Sequence, residues 1–224
     1  MFFALKVNTF TFVTTTKGEQ TRQRIVDTAL ALFEQRGYAE TTLRHIADEA
    51  DISIGLAYRY FRRKEELVLA LYEQLSVEVA DKVKLPEGTV GERWAALERT
   101  RFKVLAPHRR TLLALVQAAL DPEGELGALS PATVGVRERW RALHRAVIDG
   151  ATGKPPAALA ELLYGVDLML VIFWTQDRTA NARATREAID RIAKLVDVAV
   201  AFPGAAGAIA ELAGTFHTLS RKSS

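Results

Sequence analysis

Cysteine is absent from the 224-residue chain, and there are only two methionines and three tryptophans. Without cysteine there is no disulfide framework, no thiolate zinc site and no cysteine nucleophile, and a reducing cytoplasm is the natural setting. Long apolar runs are missing as well. No segment reaches the roughly 18 uninterrupted apolar residues that suggest a spanning helix. The most apolar stretch, residues 162–174, is interrupted by Asp167, so no membrane partner is expected. The first sixteen residues are apolar, but their one charge, Lys6, falls inside the apolar stretch and no small-residue cleavage site follows. They read as an uncharged N-terminal arm rather than a signal peptide. Nor is there a large excess of one charge: 30 Lys+Arg against 27 Asp+Glu leave +3. With 49% hydrophobic and 25% charged residues the composition is that of a folded globular protein. The length allows a small domain beside a larger one.

Catalytic signatures are also lacking. There is no G-x-S-x-G and no H-E-x-x-H in the chain. Gly153-Lys154 resembles the end of a phosphate-binding loop, but Ile148 stands where its first glycine belongs and Pro155 where Ser or Thr would follow. The four histidines, His45, His108, His144 and His217, show no ligand-pair spacing, so neither a metal nor a cofactor is expected. An enzyme is the less favoured reading, and an all-α enzyme or a constitutive DNA-binding protein stand as alternatives. Turnover of a compound would mark the first, and DNA binding indifferent to any ligand the second.

What is present is helical periodicity. Ile25, Ala29, Leu32 and Phe33 form one stripe, closed by Gly37 as a helix stop. Thr41-Thr42 can cap a second helix with Leu43, Ile46, Ala47 and Ala50 on one face. Asp51-Ile52-Ser53 is a short turn, with Ser53 placed to cap a third helix running to about Phe61. A longer helix from Lys64 carries Leu67, Leu71, Leu75 and Val79 and ends before Pro86. Further helices are expected over 91–106, 107–121, 131–149 after a Ser130-Pro131 cap, 156–176, 181–202 and 203–219. A period-two stretch over 6–13 is the one strand candidate. The fold class is all-α.

Residues 42–61 read as helix, short turn, helix. Between residues 17 and 72 nine basic residues balance nine acidic ones, yet Arg59, Arg62, Arg63 and Lys64 crowd together. A helix-turn-helix places its second helix in the major groove while flanking groups hold phosphates. Gly55 allows close approach, Tyr58 and Tyr60 offer hydroxyls to phosphate, and the cation cluster supplies the salt-dependent part of the affinity. An ordinary helical hairpin with a solvated charged rim explains the same spacing equally well.

Residues 37–67 carry a more specific pattern. Gly37, Tyr38, Thr41, Thr42, Ile46, Ala47, Ala50, Ser53, Gly55, Tyr58, Tyr60, Phe61, Lys64 and Leu67 fall in the register G-[FY]-x-x-T-T-x-x-x-I-A-x-x-A-G-V-S-x-G-x-x-Y-x-[HY]-F-x-x-K-x-x-L. The segment strongly resembles the signature of the tetracycline-repressor (TetR) family, departing from it at Asp51, where Gly is usual, and at Ile52, where Val is. That resemblance implies an N-terminal three-helix DNA-binding domain (17–77, helix-turn-helix 40–61) after the arm 1–16. A larger helical effector-binding and dimerisation domain would follow over 78–224. It implies a cytoplasmic, homodimeric, ligand-responsive regulator, usually a repressor, on a palindromic double-stranded operator. Carried over by position, Thr42, Arg44, Ser53, Ile54, Gly55, Leu56, Tyr58, Arg59, Tyr60 and Lys64 are the DNA-contacting residues. By chemistry Arg44 and Arg59 suit base contacts; Tyr58, Tyr60, Thr42 and Lys64 suit phosphates; Ile54 and Leu56 suit a thymine methyl or groove shape.

Beyond about residue 85 there is no specific resemblance. Trp94, Phe102, Trp140, His144 and Phe173 are the expected frame of an effector pocket for an apolar or aromatic molecule with one or two polar groups. The stretch 156–176 is apolar almost all round, more than one core face needs. With 181–202 it is the expected dimer contact, through Leu163, Val166, Leu170, Ile192 and Val196. Asp167 fits either the pocket or the subunit contact.

Overall fold

A computed structural model describes residues 16–215 apart from 122–123, 128, 154, 203, 205–206 and 210. The strand candidate at 6–13, the arm up to residue 15 and the end of the 203–219 helix lie outside the described residues.

Each early helix starts on a cap that the sequence supplies. Thr16 and Glu19 form a capping box at the start of α1 (Lys17–Arg36), and α1 stops where Gly37 takes φ 91°. Thr42 caps α2 (Leu43–Glu49) by accepting from the His45 N–H, and Ser53 caps α3 (Ile54–Tyr60) by accepting from the Leu56 N–H. The three helices close over Ile25, Ala29, Phe33, Ile46, Ala47, Ala57 and Phe61, all buried. The inner stripe of α4 (Lys64–Lys82), Leu67, Leu71, Leu75 and Val79, is buried as well.

The α2–α3 turn is a helix stop built on a left-handed residue. Ile52 N donates to Ala47 O (3.0 Å) and Asp51 N to Asp48 O (3.2 Å), with Asp51 at φ 50°. Asp tolerates this conformation better than most side chains, and glycine adopts it without a Cβ penalty.

The second half comprises α5 (Val90–Leu105), α6 (Arg109–Leu120), α7 (Val134–Asp149), α8 (Leu159–Gln176) and α9 (Arg183–Ala201). Four starts fall later than the sequence expectation: α6 and α9 each begin two residues late, after 3-10 turns at Ala106–His108 and Ala180–Ala182, and two others begin three residues late. Ser130 and Pro131 open a 3-10 turn, Pro131–Thr133, and α7 begins only after it. Pro156 is taken up by a turn in which the Leu159 N–H donates to its carbonyl, so α8 starts three residues late. Between α8 and α9 the Asp177 carboxylate accepts from the backbone and hydroxyl of both Thr179 and Thr185 at 2.6–2.9 Å, fixing the reversal. α9 crosses α5 so closely that a Cβ on Gly91 would collide with the Ala193 carbonyl. Asp197 of α9 accepts from the Gly91 N–H (2.7 Å) and the Thr89 hydroxyl (2.8 Å), completing the cap of α5. Among the described residues no strand forms; one parallel bridge, Gly88 to Ala151, is the sole ladder contact. The fold is all-α.

α4 is the continuous link between the two halves, but side chains bridge them too. Arg139 of α7 ion-pairs with Glu73 and donates to the Ser76 hydroxyl (3.0 Å) on α4. Glu34 of α1 accepts from the Thr111 hydroxyl of α6 (2.5 Å), and Arg63 pairs with Glu125 at 2.7 Å.

Replacing Asp51 by glycine removes the left-handed Cβ while keeping both turn hydrogen bonds. Asp51→Gly is expected to stabilise the protein by about 0.5–1 kcal/mol, a rise in Tm of roughly 1–4 °C. Thermal unfolding followed by circular dichroism checks it; a lower Tm contradicts this account of the turn.

Candidate nucleic-acid interface and buried polar centre

The capped ends of α2 and α3 set one face of the N-terminal domain. Thr42, Arg44, Ser53, Gly55, Tyr58 and Arg59 are exposed on it, and Ile54, Leu56 and Tyr60 are half-buried at its edge. Gly55 takes an ordinary helical conformation, and a Cβ there would meet nothing within 4 Å. The chain's own packing therefore gives no reason for a glycine that weakens a seven-residue helix.

One of the expected contacts is otherwise engaged. The Lys64 ammonium donates to the carbonyls of Tyr38 (2.7 Å) and Ala39 (3.3 Å) and sits 4.2 Å from the Tyr38 ring centre. Its burial lowers the ammonium pKa, and Lys64 ties the α1–α2 loop to α4. The Tyr60 hydroxyl lies beside Gly18 at the start of α1. Of the cation cluster, Arg59 and Arg62 are exposed, and Arg63 is partnered by Glu125.

In the second half, three helices bring polar groups to one buried point. On α5, Trp94, Glu98 and Arg101 share a face; α7 contributes Trp140 and His144, and α8 contributes Tyr164 and Asp167, all buried. Arg101 pairs with Asp167 and lies 3.6 Å from Glu98, with its guanidinium 4.3 Å from the centre of the Trp140 ring. His144 Nδ1 is 2.8 Å from the Trp140 carbonyl oxygen, and its Nε2 faces Glu98 Oε1 at 3.9 Å. Neither Glu98 oxygen, nor His144 Nε2, nor the Trp94 indole N–H has a hydrogen-bond partner. Burial pushes the Glu98 carboxyl up to about 7 against the pull of Arg101, and burial with Arg101 alongside takes His144 down to about 4.

Comparison with known proteins places this arrangement. Residues 25–71 match the profile of the bacterial regulatory proteins, tetR family. Over 187 residues the chain is 26% identical to the HTH-type transcriptional repressor KstR of Mycolicibacterium smegmatis, spanning 78% of this chain and 86% of that protein. Residues 25–71 thus carry the DNA-binding segment of the tetR family, and the chain is similar over most of its length to TetR-family transcriptional regulators. A tetR-family regulator from Streptomyces coelicolor shares the fold at TM-score 0.62 and 24% identity, covering 91% of this chain and 96% of that one. So does FadR from Bacillus subtilis, solved in complex with stearoyl-CoA, at TM-score 0.57 and 18% identity over 76% and 96%. The relatives it matches are transcriptional regulators, not enzymes.

Several residues lie elsewhere than the sequence places them. Phe173 is 47% exposed on the outside of α8; its neighbour Trp174 is the ring that meets Phe102, at 5.3 Å. Leu163 and Leu170, expected at the dimer contact, are 1% and 4% exposed and belong to the protomer's own core. Val166, Ile192 and Val196 are half-buried. The outward apolar side chains are Met169 and Phe173 on α8 and Leu195, Val198 and Phe202 at and beyond the end of α9. Asp167 faces inward, to Arg101, rather than the α8 surface. Glu98 and Arg101 were missed, although both interrupt the apolar stripe of Val90, Trp94, Leu97 and Leu105, a departure readable in the sequence. The grouping of Glu98, His144 and Asp167 has no sequence signal, because each comes from a different helix.

Glu98 holds its proton more tightly in the folded chain than at the unfolded value of 4.5, so folding loses stability as pH rises from there through about 7. His144 acts oppositely and only below its unfolded value of 6.5, where stability is lost as pH falls towards about 4. Above pH 6.5 the charged Glu98 carboxylate is the cost that remains. In chelator-treated protein, the Tm of Glu98→Gln relative to wild type is expected to rise between pH 5 and pH 8, at about 2–4 °C per kcal/mol relieved. A difference independent of pH contradicts the assignment.

Proposed function

We propose that the protein is a homodimeric cytoplasmic repressor that holds a palindromic operator and releases it when a small effector settles among α5, α7 and α8. α7 carries this reading because it serves both halves of the chain. Trp140 and His144 face the buried centre, while Arg139, on another side of the same helix, grips Glu73 and Ser76 on α4. A molecule that displaces α7 therefore pulls on the helix that carries the DNA-binding unit. Only an effector with different affinities for the two spacings of the recognition helices shifts operator binding, and by no more than that difference.

The effector suited to this site is apolar or aromatic with one or two polar groups. Trp94, Phe102, Trp140 and Trp174 supply ring surface, and the unpaired Trp94 indole N–H calls for an acceptor such as a carbonyl. FadR of Bacillus subtilis was solved with stearoyl-CoA, a ligand with a long apolar tail, and the proposed effector shares that apolar character.

The operator contact falls to Thr42, Arg44, Ser53, Ile54, Gly55, Leu56, Tyr58 and Arg59, with Tyr60 and Lys64 holding the unit together behind them. Two recognition helices would meet half-sites about 34–36 Å apart. Gly55→Ala separates DNA binding from folding. It is expected to raise stability by about 0.5–1 kcal/mol, because alanine is the better helix former, and to weaken binding to the DNA flanking the gene. Arg59→Ala is expected to cost about 1–3 kcal/mol and relax base preference. Gel-shift titrations with specific and scrambled DNA check both; unchanged affinity in the two variants removes α3 from the interface.

Dimerisation falls to the outward stripe Met169, Phe173, Leu195, Val198 and Phe202, with Val166, Ile192 and Val196 at its margin. Phe173→Arg is expected to give a monomer with unchanged helicity in analytical ultracentrifugation, since its side chain is not in the protomer's core. A dimer that persists with Phe173→Arg and with Met169→Arg places the contact elsewhere.

A further inference from the structure

We propose that Glu98, His144 and Asp167 bind one divalent transition-metal ion, of the zinc or cobalt class, enclosed between α5, α7 and α8. One candidate ligand atom from each residue lies within 4.8 Å of the others, and all three side chains are buried. The imidazole is already set for such a role. Its Nδ1 is held by the Trp140 carbonyl, a contact that requires the proton on Nδ1 and leaves the lone pair on Nε2. Metal-binding histidines are oriented by this same kind of bond to a backbone carbonyl.

That lone pair points at another. Nε2 faces Glu98 Oε1 across 3.9 Å, and neither atom has a hydrogen-bond donor. Two buried acceptors aimed at each other repel unless a cation stands between them or the carboxyl keeps a proton, and at 3.9 Å such a proton makes no hydrogen bond to Nε2. With metal–ligand bonds of about 2.0–2.2 Å, ligand atoms around a zinc-sized ion lie roughly 3–4 Å apart, and the observed separation falls in that span.

Arg101 does not fill the gap at His144: it pairs with Asp167 Oδ1 and approaches Glu98 from its other oxygen, Oε2. There it lies against one oxygen of each carboxylate, as outer partners do around metal sites. A donor set of two carboxylates and an imidazole, in a chain with no thiolate, suits zinc, cobalt, nickel or manganese rather than a copper(I) or iron–sulfur centre. The metal and the organic effector use different groups, so either can be present without the other.

Cobalt(II) is the probe that tests this. Full-length protein is stripped with chelator and titrated with CoCl2, following visible d–d absorption and the fluorescence of the tryptophans near the centre. One equivalent per chain, displaced by ZnCl2, is expected. Loss of either carboxylate or imidazole is expected to weaken binding by more than the roughly 10–100-fold typical of outer-partner changes, in both Glu98→Gln and His144→Gln. Replacing His45, His108 and His217 together is expected to leave binding intact. X-ray absorption of the cobalt-loaded wild type needs no variant and is expected to show one imidazole beside oxygen ligands. No saturable absorption in the wild type, binding retained in both centre variants, loss of binding in the triple histidine variant, or a shell without imidazole would each overturn the proposal. None of these readouts involves operator DNA, so the repressor reading stands or falls separately.

Discussion

Two carboxylates and one guanidinium are enclosed where α5, α7 and α8 cross, and their charge has to be balanced there because water does not reach it. Taking such groups out of water costs several kcal/mol per ion, and a well-packed apolar replacement of the same volume is often as stable or more so. Glu98, Arg101 and Asp167 are therefore a poor way to hold three helices together. They are a good way to fix how the helices face one another, since moving any one of them leaves a buried charge without its partner. The aromatic lining serves the same end: Trp140 stacks on Arg101, and Tyr164 lies edge-on to His144 with ring centres 5.9 Å apart. A centre so placed responds strongly to any group that enters and settles its unpaired atoms.

The path from this centre to the DNA-binding unit is short. His144 and Arg139 lie on the same helix, and Arg139 reaches α4 through Glu73 and Ser76. α4 begins at Lys64, whose ammonium holds the loop after α1. Contacts at Arg63–Glu125 and Glu34–Thr111 flank this route on either side. α4 alone would leave the N-terminal domain free to pivot; these flanking contacts tie it to the second half at further points.

Legibility in the sequence followed the range of the interactions. The DNA-binding unit is built from contacts a few residues apart: Thr42 and Ser53 as caps, Gly37 and Asp51 as stops, Leu67 to Val79 as a stripe. All of these read directly along the chain, and so does the face that α3 presents. The buried centre depends on residues from three helices and on which side of each helix faces inward. For α5 the stripe announced the side, and Glu98 and Arg101 stand out as polar members of an apolar row. For α8 it did not: with apolar residues almost all round, Leu163 and Leu170 are indistinguishable in sequence from Met169, and Phe173 from Trp174. Only the packing of α7 and α6 against α8 decides between them.

That ambiguity has a physical consequence. On the proposed dimer contact, α8 is apolar almost all round because it has two surfaces to satisfy. Leu163, Asp167, Leu170 and Trp174 turn to the protomer's interior, while Met169 and Phe173 turn outward. Its length and hydropathy would suit a bilayer, but the inward Asp167 is spoken for by Arg101, and the outward stripe continues onto α9 at Leu195 and Val198. A stripe shared by two adjacent helices is the shape of a helix-pair contact, self-complementary about a two-fold axis. In such a dimer the buried centre and the subunit contact lie on opposite sides of one rigid helix, one helix diameter of about 10 Å apart. Whatever moves Asp167 then also moves Met169 and Phe173. The two centres of a dimer would thus be linked through a pair of packed helices, with no further element required to carry the change from one protomer to the other.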